Sequence, residues 1–486
     1  MTHRIYACAL IVLAAVAAGC RPEARVRWSP DGKTAAVLAP DGLYLADAEG
    51  KLSARIAEGV KAAEWTPDSK RLVVIRHTEL PTWKEARAFL DEAQARKIVA
   101  GGKRLKEEFL AHQGPMDQFE PSCAADVSPQ QITLMLLYIR DEEPAGLAEK
   151  LGDKWEEYKK AAVPVLLLEV GDVAGGKVAF APPVVRTLNV LAGLRLSPDG
   201  KVAACTGEPA MVKSPDPALW VVPVAGGELR AVADRVSALP DWSPNGRSLV
   251  YARAASPRAE GKEALRLGTI SRREVAGADG ALLEIFPDAG DLAGLLFHDR
   301  LKVRCLADGR VLFDTMAVQL PCTADELPQP LELFALDMDL PVAAKRILSA
   351  AAREKAGNIT WFEVSPDGKR ILLQTPVGVA IASLADGGLV AEIAENQESL
   401  MNLPVWRTAD EVCLAVKPES KLGSSARPEV VLWSAKGSKV LSKSWPDDMV
   451  KGMLLPPKAT PETPAEGAAP AKPEEKKPEE AKPATK

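Results

Sequence analysis

The residues best suited to metal binding or nucleophilic catalysis are few in this chain and far apart. The sequence has four histidines and seven cysteines, and no two cysteines stand in a CxxC pair. Zinc sites and thiol redox sites usually need such closely spaced ligands. The GxSxG motif of serine hydrolases and the HExxH motif of metalloproteases are also absent. We therefore predict no catalytic residue, no metal site and no cofactor.

One cysteine lies where a processing signal predicts a different chemistry. Residues 1–19 carry a positive charge at Arg4 and continue as a short apolar run, which is typical of a signal peptide. The run ends in Ala-Ala-Gly-Cys, which resembles a bacterial lipobox, so we predict cleavage before Cys20 and lipidation of Cys20. Several acyl chains hold a protein stably at a membrane. Because Arg21 and not aspartate follows, we expect the periplasmic face of the outer membrane.

A short motif recurs along the chain. Each copy is an apolar residue, often tryptophan, followed by a sequence close to Ser-Pro-Asp-Gly-Lys. The seven copies begin at Trp28, Trp65, Leu196, Trp242, Cys305, Val364 and Trp406. Proline presets the backbone of such a segment, aspartate can bond to the local backbone, and glycine accepts a positive φ, so each copy predicts a tight turn. An apolar, strand-like run follows each turn.

Short strands between the turns predict the blades of a propeller. In the first repeat, residues 42–46, 51–56 and 61–65 are the expected second, third and fourth strands. The repeats resemble those of TolB-type propellers, relatives of the WD-dipeptide repeat, over about residues 25–445. This resemblance implies an all-β, seven-bladed β-propeller, with six or eight blades as alternatives. We expect residues 24–28 to supply the outer strand of the last blade and so close the ring.

The second blade is interrupted by a segment of different character. Capping signals at Thr82 and at Ser128 predict helices, and we expect the first helix to end at Gly101-Gly102. We therefore predict a helical insertion over residues 80–162. Its candidate partner-binding residues are Trp83, Phe89, Trp155 and Tyr158. The alternative is that these aromatic side chains form the core of the insertion itself.

The predicted domain order is a signal peptide over 1–19, a propeller over 20–450 and a tail over 451–486. The tail is rich in proline, alanine, glutamate and lysine, and it cannot bury enough apolar surface to fold. The net charge of the chain is −5, so a nucleic acid is not an expected partner.

Three interpretations fit these features, and the third is a degenerate sensor domain that has no ligand. The first is a membrane-tethered scaffold that binds a protein or peptide partner in the cell envelope. The second is an enzyme or small-ligand binder that uses the central channel of the propeller. Charged side chains that converge on the channel would favour the second function. An exposed apolar patch on the helical insertion would favour the first.

Overall fold

A computed structural model describes most of the chain. The described residues are 24–114, 119, 121–122, 126–152, 154–213, 216–237, 240–256, 266–275, 282–285, 289–290, 294–298, 300–316, 330–337, 343–376, 378–395, 402–417 and 427–455. The predicted signal peptide, Cys20 and the tail beyond residue 455 lie outside them.

In the described residues the strands form seven sheets that follow one another along the chain. The first contains β1 (Val26–Trp28), β2 (Thr34–Ala39) and β3 (Gly42–Asp47). The second contains β4 (Val60–Trp65), β5 (Arg71–Leu80), β6 (Val163–Ala174), β7 (Lys177–Phe180) and β8 (Val185–Thr187). The third contains β9 (Val190–Leu196), β10 (Val202–Glu208), β11 (Ala218–Pro223) and β12 (Arg230–Ala233).

The remaining sheets follow the same plan. The fourth contains β13 (Asp241–Trp242), β14 (Ser248–Ala254), β15 (Arg266–Glu274), β16 (Leu282–Ile285) and β18 (Leu295–Phe297). The fifth contains β17 (Ala289–Gly290), β19 (Val303–Cys305), β20 (Arg310–Met316), β21 (Leu331–Asp337) and β22 (Ala343–Arg346). The sixth contains β23 (Trp361–Val364), β24 (Arg370–Thr375), β25 (Gly378–Ser383) and β26 (Leu389–Glu395). The seventh contains β27 (Val405–Thr408), β28 (Glu411–Val416), β29 (Glu429–Ser434) and β30 (Gly437–Val440).

The fold is a seven-bladed β-propeller in which each sheet is one blade, as the repeat predicts. The recurring motif is the turn between the first and second strands of a blade. In blade 1 the Ser29 hydroxyl donates to the Asp31 carboxylate at 2.6 Å, and Gly32 has a φ of +67°. The same hydroxyl–carboxylate bond occurs at Ser197 and Ser365. The hydroxyl of Ser29 lowers the pKa of Asp31, so this aspartate works as part of the turn.

The strand that leads into each turn motif, such as β1 with Trp28 or β4 with Trp65, is the first strand of its own blade and not the last strand of the preceding blade. β4, which carries Trp65, pairs with β5, so residues 61–65 are not the fourth strand of blade 1. Likewise β1 pairs with β2, so residues 24–28 are not the outer strand of the last blade. Both predictions were wrong for one reason. A turn motif identifies two adjacent strands but does not show at which of them the sheet begins.

Within the described residues, five helices lie between β5 and β6, where the sequence predicts a helical insertion. They are α1 (Trp83–Arg87), α2 (Glu92–Ala111), α3 (Pro129–Glu142), α4 (Leu147–Leu151) and α5 (Lys154–Lys159). We call residues 83–159 the helical segment. Its core continues into β6 and reaches Leu188 and Ala210 beside blade 3. In addition, the Ser128 hydroxyl hydrogen-bonds the carbonyl of Ala210, so the segment is held by two blades.

The predicted end of the first helix at Gly101-Gly102 was wrong. The helix that Thr82 caps ends at Arg87, and a second helix, α2, begins at Glu92 and continues through both glycines to Ala111. A Cβ on Gly101 would lie 2.3 Å from Cε of Met135, and one on Gly102 would lie 2.7 Å from Cδ1 of Tyr138. The two glycines therefore let α2 approach α3 closely, which is a second use of glycine besides ending a helix.

Apolar side chains join successive blades face to face. Alternate residues of a strand point to opposite faces of its sheet. In β2, Ala36 and Leu38 therefore pack toward blade 2, and Ala35 and Val37 pack toward blade 7. Equivalent clusters join all the remaining pairs of successive blades, from blades 2 and 3 to blades 6 and 7. Because the seventh interface returns to blade 1, the ring is closed.

The closing interface relies on side chains and a helix instead of a shared strand. α6 (Ala350–Ala356) precedes blade 6, and α7 (Asp447–Leu454) is the last helix of the described residues. It buries Val450 and Met453 between blades 1 and 7, and the indole Nε1 of Trp445 donates to the Gly50 carbonyl at 2.7 Å. α7 thus extends into residues that the sequence assigns to the tail. Across the described part of the chain, no helix has the length and apolar character needed to cross a membrane.

Candidate functional site

The first strands of the blades surround the axis of the propeller. Each of them is an edge strand of its sheet, and neighbouring first strands contact one another, as β4 contacts both β1 and β9. The residue just before each recurring motif therefore lies at the inner end of an interface between two blades. In chain order these residues are Arg27, Glu64, Arg195, Asp241, Arg304, Glu363 and Val405.

The first six of these residues alternate in charge, and we call them the charge ring. Their side chains are 12–28% exposed, whereas the apolar residues farther out in the same interfaces are buried. We conclude that their exposed parts face the central channel. A closed ring of seven positions cannot alternate two charges without placing like charges side by side. The seventh position, which would break the alternation, holds the apolar Val405.

Ion pairs connect the charge ring from blade to blade. The Glu64 carboxylate lies 3.8 Å from Nη1 of Arg27 and 3.6 Å from Nη1 of Arg195. On the other side of the ring, Nη1 of Arg304 lies 3.3 Å from the Asp241 carboxylate. Nη2 of Arg304 hydrogen-bonds the carboxylate of Glu363 in the next blade. Each of these contacts crosses an interface between blades and so also stabilises the ring of sheets.

Lys302 adds a buried cation beside the charge ring. Its ammonium lies 2.6 Å from the Glu363 carboxylate and 3.4 Å from the centroid of the Trp361 ring. Burial alone would raise the pKa of Glu363, but Arg304, Lys302 and Arg195 outweigh burial and hold that pKa well below its ordinary value. Glu363 is therefore ionised throughout the physiological pH range.

The recurring tryptophans hold the backbone that carries the charges. The indole Nε1 of Trp65 donates to the carbonyl oxygen of Arg27 at 2.9 Å. Nε1 of Trp406 donates to the carbonyl oxygen of Glu363 at 3.1 Å. In both cases the tryptophan belongs to the following blade, so the bond crosses the interface. These bonds limit the movement of the strands that present the charged side chains.

The four candidate partner-binding residues lie in or against the core of the helical segment. Trp83 is buried, and its ring meets that of Tyr138 edge-on with centroids 5.5 Å apart. Phe89, Trp155 and Tyr158 are partly buried against the same core. The rings of Trp155 and Tyr158 also stack on each other at 5.7 Å. The structure thus gives these side chains a packing role, and partner binding by them stays a prediction.

The thiols and metal-binding side chains do not form a further site in the described part of the chain. There, no group of three histidine, cysteine, aspartate or glutamate side chains could hold a metal ion. Cys205, Cys305 and Cys413 are free thiols, and burial raises the pKa of Cys205 to about 12. A thiol with such a pKa is a poor nucleophile at neutral pH. Lipidation of Cys20, outside the described residues, stays a prediction.

The turn motif alone does not predict the charge ring. The signal stands one residue before each copy, where the sequence reads Arg, Glu, Arg, Asp, Arg and Glu in the first six repeats. The turn is recognisable because its residue types recur. At the charge-ring positions only an alternation of positive and negative residues recurs. This alternation can be recognised as a ring only once the copies are known to surround one axis.

Solved structures that resemble this chain include a β-propeller domain, a hydrazine synthase and a TolB-type protein. The β-propeller domain of the Trilobed protease from Pyrococcus furiosus is 11% identical, with a TM-score of 0.45, over 87% of this chain and 96% of that one. Kuenenia stuttgartiensis hydrazine synthase is 14% identical, with a TM-score of 0.41, over 78% and 88% of the two chains. A TolB-type protein from Agrobacterium tumefaciens is 15% identical, with a TM-score of 0.29, over 57% and 76%. No protein-family model and no curated protein matches the chain.

Proposed function

We propose that this chain is an exported, membrane-tethered protein of the bacterial cell envelope that binds a ligand in its central channel, beside the charge ring. One observation carries the proposal: six charged side chains, one from each of six blades, converge on a single channel. Polar groups that converge from separate rigid elements are typical of a ligand site.

Binding is a better description than catalysis because the charge ring neutralises itself. A general acid or base works best when its pKa lies near the working pH. The three basic side chains around Glu363 lower its pKa, which moves it farther from neutral pH. Glu64 and Asp241 also lie beside arginines. Such fixed charges suit the recognition of a polar ligand.

The tether rests on the sequence around Cys20, and Arg21 supports the periplasmic face of the outer membrane. Cells that produce the wild-type chain should incorporate labelled palmitate into it, and the chain should sediment with membranes. A Cys20→Ser chain should lose the label and move to the soluble fraction. Equal labelling of both chains would contradict the tether.

The channel is tested by a photoreactive residue placed at Ala62. Ala62 lies two residues before Glu64 on β4, so both side chains point to the same face of the strand. The control position is Val390, which is 58% exposed on the outermost strand of blade 6. After irradiation of living cells, we expect a discrete increase in intact mass for the Ala62 chain only. The same adduct at both positions, or none at either, would contradict a channel site.

A further inference from the structure

We propose that the channel ligand carries a carboxylate and that Arg195 receives it. This inference rests on the proposed function, because it names the chemistry of the ligand for the same channel. Among the described arginines of the charge ring, Arg195 combines deep burial with a single ion pair, whereas Arg27 is more exposed and Arg304 meets two carboxylates.

The contacts of Arg195 and Arg304 differ in number and kind. The guanidinium of Arg304 reaches two carboxylates, those of Asp241 and Glu363. Within the described residues the guanidinium of Arg195 has one ion pair, 3.6 Å from Glu64, and Glu64 is shared with Arg27. The buried Nε atoms of both Arg195 and Arg304 have no hydrogen-bond acceptor there, so the two arginines differ in their ion pairs and not in this donor. A buried donor without an acceptor is costly, and a bound anion would remove that cost.

Another arginine of this chain shows how a carboxylate would bind. Nε and Nη2 of Arg76 donate to the two oxygens of Glu169 at 2.7 and 2.5 Å, along one edge of the guanidinium. In Arg195 the atom nearest Glu64 is Nη1, so the contact with Glu64 does not use the Nε–Nη2 edge, whose Nε is buried. This edge matches the spacing of the two oxygens in a carboxylate.

The surroundings of Arg195 also favour an anion. The three arginines of the charge ring stand against three carboxylates, those of Glu64, Asp241 and Glu363, while burial holds the pKa of the neighbouring Lys302 well below its ordinary value. Burial and the neighbouring Arg304 lower the pKa of Arg195, which indicates that its charge is incompletely compensated. In contrast, the carboxylates beside Arg304 outweigh its burial and raise its pKa.

The residue types next to the ring leave space on the same side. Two positions before Glu64 and Arg195, on the same strand faces, stand Ala62 and Gly193, which carry little or no side chain. At the equivalent positions of blades 5 and 6 stand the larger Lys302 and Trp361. A ligand that enters beside blades 2 and 3 therefore meets smaller side chains at these positions than it would beside blades 5 and 6.

The inference is tested with the full lipidated chain in detergent and two pairs of probes. Acetate and tri-alanine carry a carboxylate, whereas acetamide and tri-alanine amide are their neutral counterparts. We expect saturable binding of at least one carboxylate in ligand-observed NMR titrations and no binding of its amide. Acetate tests a small free acid, and tri-alanine tests the end of a peptide. Absence of binding by both carboxylates, or equal binding of the amides, would overturn the inference.

Three substitutions assign the binding to Arg195. Arg195→Gln should weaken carboxylate binding about tenfold or more, because charge-assisted hydrogen bonds are lost. Arg195→Lys keeps the charge without the paired donors and should fall between the wild type and Arg195→Gln. Arg27→Gln removes the same charge from the same ring and should weaken binding less. Equal losses in Arg27→Gln and Arg195→Gln would show a general field effect and overturn the assignment. Thermal unfolding of each variant verifies that it is folded.

The cellular cross-link separates this inference from the proposed function. If the adduct at Ala62 forms but no carboxylate binds, the channel is a binding site and the ligand class is wrong. If the adduct is absent as well, the proposed function fails together with the inference.

Discussion

At the residue scale, His77 should make the stability of the fold sensitive to mild acid. Burial and the nearby Lys61 lower the pKa of His77 below its ordinary value of 6.5. The unfolded chain then binds this proton at a higher pH than the folded chain does. The free energy of unfolding should therefore fall as the pH falls through 6.5. Urea unfolding at pH 7.5 and 5.5 should show a smaller pH dependence for His77→Gln than for the wild type; an unchanged dependence would contradict this account.

Two glycines in equivalent turns separate backbone strain from packing between blades. Gly200 and Gly368 both have a φ of +69°. A Cβ on Gly200 would lie 2.8 Å from Cδ of Pro67 in the preceding blade, whereas a Cβ on Gly368 would have no atom within 4 Å. Gly368→Ala should cost about 1–2 kcal/mol from backbone strain. Gly200→Ala should cost about 1–3 kcal/mol more because the blades must shift.

The measurement for this pair is urea unfolding of both variants under the same conditions. The difference between the two losses reports the contact between neighbouring turns. Equal losses would show that the turns of blades 2 and 3 do not depend on each other.

Residue types were predictable from the sequence where one local structure demands them. The Ser-Pro-Asp-Gly turn requires a hydroxyl, a carboxylate and a positive φ within four residues, and the sequence displays all three. Arg195 is different, because its significance depends on Glu64 and Arg304, which belong to other blades. No local pattern specifies such neighbours before the ring is assembled.

At the element scale, replacing Gly102 by alanine should destabilise the fold, although Gly102 lies within a helix. Alanine is better than glycine in a helix by about 1 kcal/mol. A Cβ at Gly102 would lie 2.7 Å from Cδ1 of Tyr138 on α3, so the two helices must separate. We expect Gly102→Ala to lower the free energy of unfolding by about 1–3 kcal/mol. The exposed neighbour Lys103→Ala is the control and should have little effect; a stabilised Gly102→Ala chain would contradict the packing argument.

Helices and strands were predictable from the sequence where side-chain periodicity determines them. Their boundaries were not predictable where tertiary contacts determine where an element ends. The helix after Ser128 begins as predicted, because a serine cap and a proline in the first turn are local signals. α2 runs through Gly101-Gly102 because α3 packs there, and the sequence has no local sign of that contact. The same limit explains why the first strands of blades 1 and 2 were assigned to the blade before each of them.

At the scale of the whole molecule, the number of blades and the pattern of charge are linked. Six first strands supply alternating charges, and the seventh supplies Val405, which packs in the apolar interface between blades 7 and 1. That interface also contains α7. Ion pairs therefore lie at the inner ends of blade interfaces such as those joined by Arg27 with Glu64 and by Arg304 with Glu363. The interface that closes the ring, between blades 7 and 1, is apolar instead.

Closure by α7 should therefore be testable by shortening the chain at two points. A chain that ends at residue 456 lacks the tail but keeps α7, and it should be about as stable as the full chain. A chain that ends at residue 446 also loses the buried Met449, Val450, Met453 and Leu454. At about 1.5–3 kcal/mol for each buried side chain, offset by the entropy of ordering the helix, the loss should be on the order of 5 kcal/mol.

Hydrogen exchange locates the effect of that truncation. Because α7 seals blade 1 against blade 7, amides of β2 and β28 should lose protection first, while those of β14 in blade 4 should keep theirs. Uniform loss of protection in all blades would mean that the ring unfolds as one unit without a weak closure. Unchanged protection in β2 and β28 would mean that the contacts of Arg407 with Gly32 and of Arg25 with Asn402 close the ring without the helix.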